Sequence, residues 1–299
     1  AGNANVGKSV IFNYLTGLHQ HIGNWPGKTV ERAEGTLHFK GYTIDIIDLP
    51  GIYSLSTYSL EEIVSRKYIT VERPDVVINV VDASVLERNL FFTLQLMELE
   101  TPMIIALNQV DIAKSKGIEI DLKKLEKLLG VPVVPTVAIK GLGVTKLLEK
   151  AIETIEKGAV EKHAQTKYGV EVEERISALI AMLKDVQVLY PPRYVAIKLL
   201  EEDEEIESEV KKTAPKIVSA AEKLADEIRS LHGHTCSTVI TSERYELAGC
   251  IARNAQKIVS PIKPTWGEKL HTLTTHKVMG YVILASLLLL IFYAIFTFG

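Results

Sequence analysis

Residues 2–9, GNANVGKS, decide the fold. Their spacing is G-x-x-x-x-G-K-[ST], the pattern of a loop that cradles phosphate. The physics is anion binding. Glycine backbone N–H groups approach the phosphates, and the helix that follows points its positive end at them. The pattern predicts that Gly2, Asn3, Asn5, Val6, Gly7, Lys8, Ser9 and Val10 surround the phosphates of a nucleotide. Lys8 would reach the β- and γ-phosphates, and the Ser9 hydroxyl would ligate Mg²⁺. A strand should lead into such a loop, and none precedes Gly2. The expectation is a truncated first strand, in a fragment that also lacks an initiator methionine and ends inside an apolar run.

Downstream, short apolar runs alternate with amphipathic stretches. TIDIIDL (43–49), VVINVVDA (76–83), MIIALNQ (103–109) and VPVVPTV (131–137) read as buried strands. Residues 60–71, 90–100, 122–129 and 144–155 read as helices between them. That alternation predicts an α/β domain over residues 1–157, with a mostly parallel sheet covered on both faces. From 158 to 258 the period becomes helical: Val172, Ile176, Leu179, Ile180 and Leu183, then Ile217, Ala221, Leu224, Ile228 and Leu231. This zone reads as an all-α domain, with EEDEEIESE (201–209) as a solvated face.

Residues 259–277, with Pro261 and Pro264, read as a linker. Residues 278–299 carry no charge over a length sufficient to cross a bilayer, for which ~20 apolar residues suffice. The alternative, a buried core helix, rarely stays apolar on every face for so long. Lys263, Lys269 and Lys277 precede the run and place its N-terminal side, and so residues 1–277, in the cytoplasm. The 299 residues are 47% hydrophobic with net charge −3, which gives no electrostatic reason to expect nucleic acid. Cys236 and Cys250 make no disulfide framework, and there is no N-terminal signal peptide.

The other motifs supply the rest of a phosphate and base site. Thr29 lies in a polar loop that can close over a γ-phosphate and add a second hydroxyl to Mg²⁺. Asp48 ends an apolar strand, where it holds the metal through water, and Gly51 offers its N–H to the γ-phosphate. Asn108-Gln109-Val110-Asp111 follows the next-but-one strand. The Asp111 carboxylate can accept from both guanine N1–H and its amino group, which adenine cannot satisfy. Val137, Ala138 and Ile139 follow the last strand, with an Ala138 N–H for guanine O6. Gln109 stands where the usual N-K-x-D has lysine, and Val137 where serine is usual. Ile52 occupies the place of the glutamine that orients water in Ras-like enzymes, and no arginine finger stands in either loop. Arg32 reads as the start of a strand. A cation held between the phosphates by the Asn5 side-chain carbonyl would do the finger's work. The alternative is that Asn5 braces its own loop.

These residues resemble the small G domains of the translation-factor-related class. HIGNWPGKTVE (21–31), DLPGIYSLSTYSLEE (48–62), PRYVAIKLLE (192–201) and WGEKLHTLTTHKVMGY (266–281) narrow the resemblance to the ferrous iron transport protein B family. It implies a Ras-like GTPase domain, a helical domain like a nucleotide-dissociation inhibitor, and the start of a helical, multi-pass domain in the inner cell membrane. The implied function is a GTP-hydrolysing module of an Fe²⁺ transporter, with GTP/GDP, Mg²⁺ and K⁺ as cofactors. Lys8, Thr29, Gly51 and Asn5 would be the catalytic set, and Gly23 and Trp25 carbonyls would complete a K⁺ shell with Asn5. Loops 19–31 and 48–60 would switch with the γ-phosphate. Partners would be the bilayer, small accessory iron-transport proteins and other copies of the chain, without nucleic acid. Other readings are a regulatory GTP/GDP switch that gates transport without powering it, and a ribosome- or tRNA-associated GTPase. Ala4 departs from the proline frequent in the family.

Three features stay outside this scheme. His232, His234 and Cys236 alternate in HGHTC and read as surface or packed residues before a metal cluster. His19 and His21 read as solvated. Trp25 is either a lipid or partner contact or a ring folded onto its own domain.

Overall fold

The computed structural model describes residues 1–17, 20–25, 28–55, 59–156, 166–259, 270–271, 273–276 and 279–298. The expected loop tip with His19, Pro26 and Gly27, the 157/158 boundary, and Pro261, Pro264, Lys263, Lys269 and Lys277 of the linker lie outside them.

In chain order the first part contains α1 (Lys8–Thr16), β1 (Gln20–Asn24), β2 (Glu31–Phe39), β3 (Tyr42–Asp48), α2 (Leu60–Lys67), β4 (Val77–Asp82), α3 (Leu86–Glu98), β5 (Met103–Asn108), α4 (Val110–Ser115), β6 (Ile118–Ile120), α5 (Leu122–Leu129), β7 (Val133–Pro135) and α6 (Val144–Glu156). The helical part contains α7 (Val170–Leu183), α8 (Pro192–Leu200), α9 (Glu204–Thr213), α10 (Pro215–His232) and α11 (Cys236–Ala255). Then come β8 (Gln256–Ile258) and α12 (Met279–Phe298).

The parallel sheet has the order β4-β5-β7, with Ile105 opposite Val133 and Asn79 opposite Ile105. Every residue of β5 is buried. Ile105 and Leu107 join the large core, while Ile104 and Ala106 face a second cluster with Val6, Ile11, Leu147 and Ala151. This is the two-sided burial that an apolar run implies for a central parallel strand. The sheet is less uniformly parallel than expected. Residues 20–48 fold as an antiparallel meander, β1-β2-β3, with Gly23 opposite Arg32 and Gly35 opposite Ile46. Residues 20–24 of the expected closing loop are therefore an edge strand, because their backbone finds a partner in β2.

β3 and β4 do not pair with each other. The strand expected ahead of the phosphate loop is represented by Ala1 and Gly2, which lie parallel to β4: Val80 donates to the Ala1 carbonyl at 2.9 Å.

Local chemistry explains several boundaries. α2 starts at a capping box: Ser59 accepts the Glu62 N–H at 3.2 Å, and Glu62 accepts the Ser59 N–H at 3.3 Å. It continues as a π-helical turn over Tyr68–Glu72. α3 begins at Leu86, before the expected residue 90, because Asp82 caps a 3-10 turn that feeds it. α5 runs from the Asp121 cap to left-handed Gly130.

The helical part shares one continuous core with the first. α11 packs along α3 and α5, and β8 pairs antiparallel with β6. The acidic run 201–209 is only in part the solvated face expected: Glu202 and Glu204 are exposed. Glu201 and Asp203 turn inward to buried basic partners, Glu201 to Lys198 and Arg244 and Asp203 to Arg66, and Ile206 is in the core. Part of the expected linker, at residues 270–271 and 273–274, is helical. Met279–Thr297 is long and apolar enough to cross a membrane, and none of it is buried.

Candidate functional site

The loop 2–7 turns through left-handed backbone at Asn5 (φ 65°) and Gly7 (φ 90°). Gly7 must be glycine for a second reason: a Cβ there would lie 2.3 Å from the Asn108 amide nitrogen. No side chain caps the N-terminus of α1. Its first N–H groups are therefore free to meet an anion.

At this end three predicted residues converge. Lys8 Nζ is 3.0 Å from Asp48 Oδ1, and Ser9 Oγ donates to Asp48 Oδ2 at 3.2 Å. The pair is shielded, with both side chains 13% exposed. Ser9 and Asp48 present the hard oxygen donors that Mg²⁺ takes. Gly51 backs onto the phosphate loop, where an added Cβ would stand 3.1 Å from Ala4 Cα. Ile52 is buried at 4% exposure, so the residue in the glutamine position belongs to the core. Thr29 is exposed, and no hydrogen bond among the described residues joins it to Ser9 or Asp48.

Asn108 does not present itself to a base. It is 2% exposed, with three of its four hydrogen-bonding positions filled. Its amide nitrogen donates to the Val6 carbonyl at 2.9 Å, and its oxygen accepts the Ala138 N–H at 2.9 Å and the Thr136 hydroxyl at 3.2 Å. These bonds add a structural part to the one expected of the motif. Asn108 is a brace between the phosphate loop and the last loop, and the Ala138 N–H expected for guanine O6 is spent on it. The reason is that a carboxamide at a buried strand end must be satisfied by whatever lies within reach. Val137 is buried, with its N–H donating to Leu142 at 3.0 Å, whereas Ile139 is 77% exposed.

Gln109, in left-handed backbone at φ 61°, reaches the Asn5 carbonyl at 3.5 Å. Asp111 is available at the surface. One oxygen accepts the Ile112 N–H at 3.0 Å, and the other lies 3.2 Å from Lys140 Nζ. Lys140 has no role in the motif reading. Its place beside Asp111 depends on a 3-10 turn that no sequence period signals. Both carboxylates of the site thus carry a lysine partner.

The residues expected to hold potassium have these surroundings. Asn5 is exposed, the Trp25 carbonyl accepts the Lys28 N–H at 2.9 Å, and Gly23 lies in β1. The Trp25 ring folds onto its own domain, edge-on to Tyr68 at 5.1 Å with the Arg32 guanidinium 5.0 Å from its centre. His232 pairs with Glu171 at 2.6 Å, and no metal-holding group of three or more His, Cys, Asp or Glu occurs among the described residues.

A family model described as ferrous iron transport protein B matches residues 1–151, and one described as the FeoB cytosolic helical domain matches residues 168–257. The Fe(2+) transporter FeoB of Methanocaldococcus jannaschii is 43% identical over 295 residues, covering 97% of this chain and 43% of that protein. A Porphyromonas gingivalis Fe(2+) transport protein A/Fe(2+) transporter FeoB fusion protein is 38% identical over 309 residues, covering 100% of this chain and 36% of that one. The chain thus spans about two fifths of the length of these curated relatives. Among solved structures, a point mutant of S. thermophilus NFeoB bound to GDP aligns with TM-score 0.79 at 37% identity, covering 86% of this chain and 97% of that one. The cytosolic domain of the T. maritima FeoB iron transporter in GMPPNP form aligns with TM-score 0.75 at 37% identity, covering 86% and 97%.

Proposed function

The chain belongs to the ferrous iron transport protein B family, and from that premise we propose that it is the GTP-binding and GTP-hydrolysing cytosolic module of an Fe²⁺ transporter in the inner cell membrane. Residues 1–157 form the G domain, 158–258 the helical domain and 259–277 the linker. Residues 278–299 are the first membrane helix, entered from the cytoplasm. The GDP- and GMPPNP-bound relatives support the nucleotide class. The observation that carries the reading is the meeting of Lys8, Ser9 and Asp48 at the uncapped end of α1.

On this reading Lys8 leaves Asp48 for the β- and γ-phosphates, and the α1 N–H groups complete the cradle. Ser9, Thr29 and Asp48 would hold Mg²⁺. When bound, that ion neutralises charge on the phosphate oxygens. Gly51 donates its N–H to the γ-phosphate. Buried Ile52 cannot hold the attacking water, so backbone groups beside Gly51 and the closing loop orient it. Asp111 exchanges Lys140 for the guanine N1–H and amino group, while Asn108 keeps the base loop in register with the phosphate loop. Asn5, with the Gly23 and Trp25 carbonyls, would hold potassium, and no step is assigned to it. Equal hydrolysis in KCl and NaCl leaves Asn5 as a loop brace, and a K⁺ preference abolished by Asn5→Ala makes it an ion ligand.

Phosphate release from GTP by the purified chain, with ATP as control, tests the enzyme. No release above the control overturns it. Uptake of ⁵⁵Fe²⁺ into vesicles by the full-length protein, with GTP against GMPPNP, separates a driven transporter from a GTP-timed gate.

A further inference from the structure

A buried arginine ties the helix after the Gly51 loop to the helical part. Arg66 lies in the last turn of α2 and is 0% exposed. Its Nη1 donates to Asp203 Oδ2 at 2.8 Å, and its Nη2 donates to Glu205. Lys67 shares Glu205 at 2.5 Å. Asp203 is also the N-cap of α9, accepting the Ile206 N–H at 3.2 Å. One carboxylate therefore starts a helix of the helical part and holds a helix of the nucleotide part.

The other attachments of α2 lead to the nucleotide. At its start, Ser54 Oγ donates to Glu62 Oε1 at 2.6 Å, which hangs the stretch after Gly51 on the helix. The Leu55 N–H donates to Gln95 of α3 at 2.9 Å. At its far end, Tyr68 meets the ring of Trp25 in the closing loop. Both loops expected to respond to a γ-phosphate thus rest on one short helix, and that helix is held by Arg66.

A second buried cluster joins the parts and shows what plain adhesion looks like here. Arg244 of α11 contacts Glu98 of α3 at 3.3 Å and Glu201 at 3.0 Å, and Tyr168 donates to Glu98. α3 holds the loop after Gly51 through Gln95, and among the described residues it makes no ring contact with Trp25 of the closing loop, so that cluster reaches one of the two loops where α2 reaches both. Arg66 differs because it sits on α2, the helix on which both loops rest. Separating a buried charge from its partners leaves it unsolvated, which costs more than keeping the pair intact while both helices shift.

Resting on the GTP-hydrolysing reading, we propose that Arg66 is a positioning residue: through Asp203 and Glu205 it makes α2 and α9 a single moving unit, so that closure over the γ-phosphate and the arrangement of α9 are coupled in both directions. α9 is then the element of the helical part that senses the nucleotide.

The test uses the full chain in detergent micelles. Hydrogen exchange of the Glu204–Thr213 amides is measured with and without GMPPNP, alongside steady-state GTP hydrolysis. In the parent, GMPPNP changes α9 exchange by about threefold or more. In Arg66→Met the response disappears, and kcat falls about tenfold while KM changes little, because the residue acts on loop position and touches no substrate. Glu205 is 24% exposed at its side chain, so Glu205→Gln gives the same pattern at smaller amplitude where Arg66→Met fails to fold. An α9 response that persists in a folded Arg66→Met or Glu205→Gln, or an unchanged kcat, overturns the proposal. A parent that binds GMPPNP without an α9 response refutes the coupling alone. A parent that does not bind GMPPNP refutes the nucleotide reading itself, and with it the coupling.

Discussion

Asn108→Ala separates a brace from a base contact. The side chain makes three hydrogen bonds, to the Val6 carbonyl, the Ala138 N–H and the Thr136 hydroxyl, at a site 2% exposed. A typical internal hydrogen bond contributes about 1 kcal/mol net, and a buried group left unpaired costs about 1–3. Truncation to alanine removes three bonds and strands at least the Ala138 N–H, so the expected loss is about 3–4 kcal/mol of stability. For a folded unit of this size that is a drop of roughly 6–15 °C in Tm. Because the bonds join the phosphate loop to the base loop, GDP affinity should fall together with stability. The ratio of guanine to xanthine nucleotide binding should not change if Asn108 acts only as a brace. Asp111→Asn is the control. An amide in place of the carboxylate cannot accept both guanine donors but can donate to the xanthine 2-carbonyl, so that ratio should invert. The assays are thermal melting by circular dichroism and titration with fluorescent GDP and XDP. A stability loss below about 1 kcal/mol, or a changed base ratio in Asn108→Ala, refutes the brace.

Lys140→Ala removes the competitor of guanine for Asp111. The pair is exposed, worth up to about 1 kcal/mol, so GDP affinity should rise by no more than about fivefold, and weaker binding would instead make Lys140 a cover for the base. Burial first, then Glu201, Glu202 and Glu243, pushes the Cys236 thiol up to about 12. Maleimide at pH 8 should therefore modify Cys250 alone until denaturant is added, and labelling of native Cys236 would contradict the packing of α11. Burial works against ionised Glu201, but Lys198 and Arg244 outweigh it and hold its pKa at about 2. A depressed carboxylate stabilises above its unfolded value and loses that contribution as pH falls from about 4.5 to 2, here about 3 kcal/mol. Glu201→Gln should flatten the acid limb of the stability curve, and an unchanged limb would remove Glu201 from the acid response.

The readable part of the molecule was written in local spacing. A glycine-framed loop before a lysine and a hydroxyl specifies an anion cradle within a few residues, and Lys8, Ser9 and Asp48 do converge. Apolar runs located β3, β4 and β5, helical periodicity found α5 from Leu122 to Leu129 and the helical part, and chargeless length marked α12. Each of these follows from forces acting between near neighbours in the chain. What depended on tertiary structure was which polar groups end up without water. Asn108 became a brace because burial at a strand end forced its amide onto Val6 and Ala138. Residues 20–24 became an edge strand because β2 offered unpaired backbone. Asp203 and Glu201, in a run that reads as a solvated face, were drawn inward because Arg66 and Arg244 are buried opposite them, more than a hundred residues away in the first case and 43 in the second. A charge pattern along the chain cannot announce its partner at that distance. Desolvation, which only the packed fold imposes, decides whether a carboxylate is a surface residue or one half of a clamp.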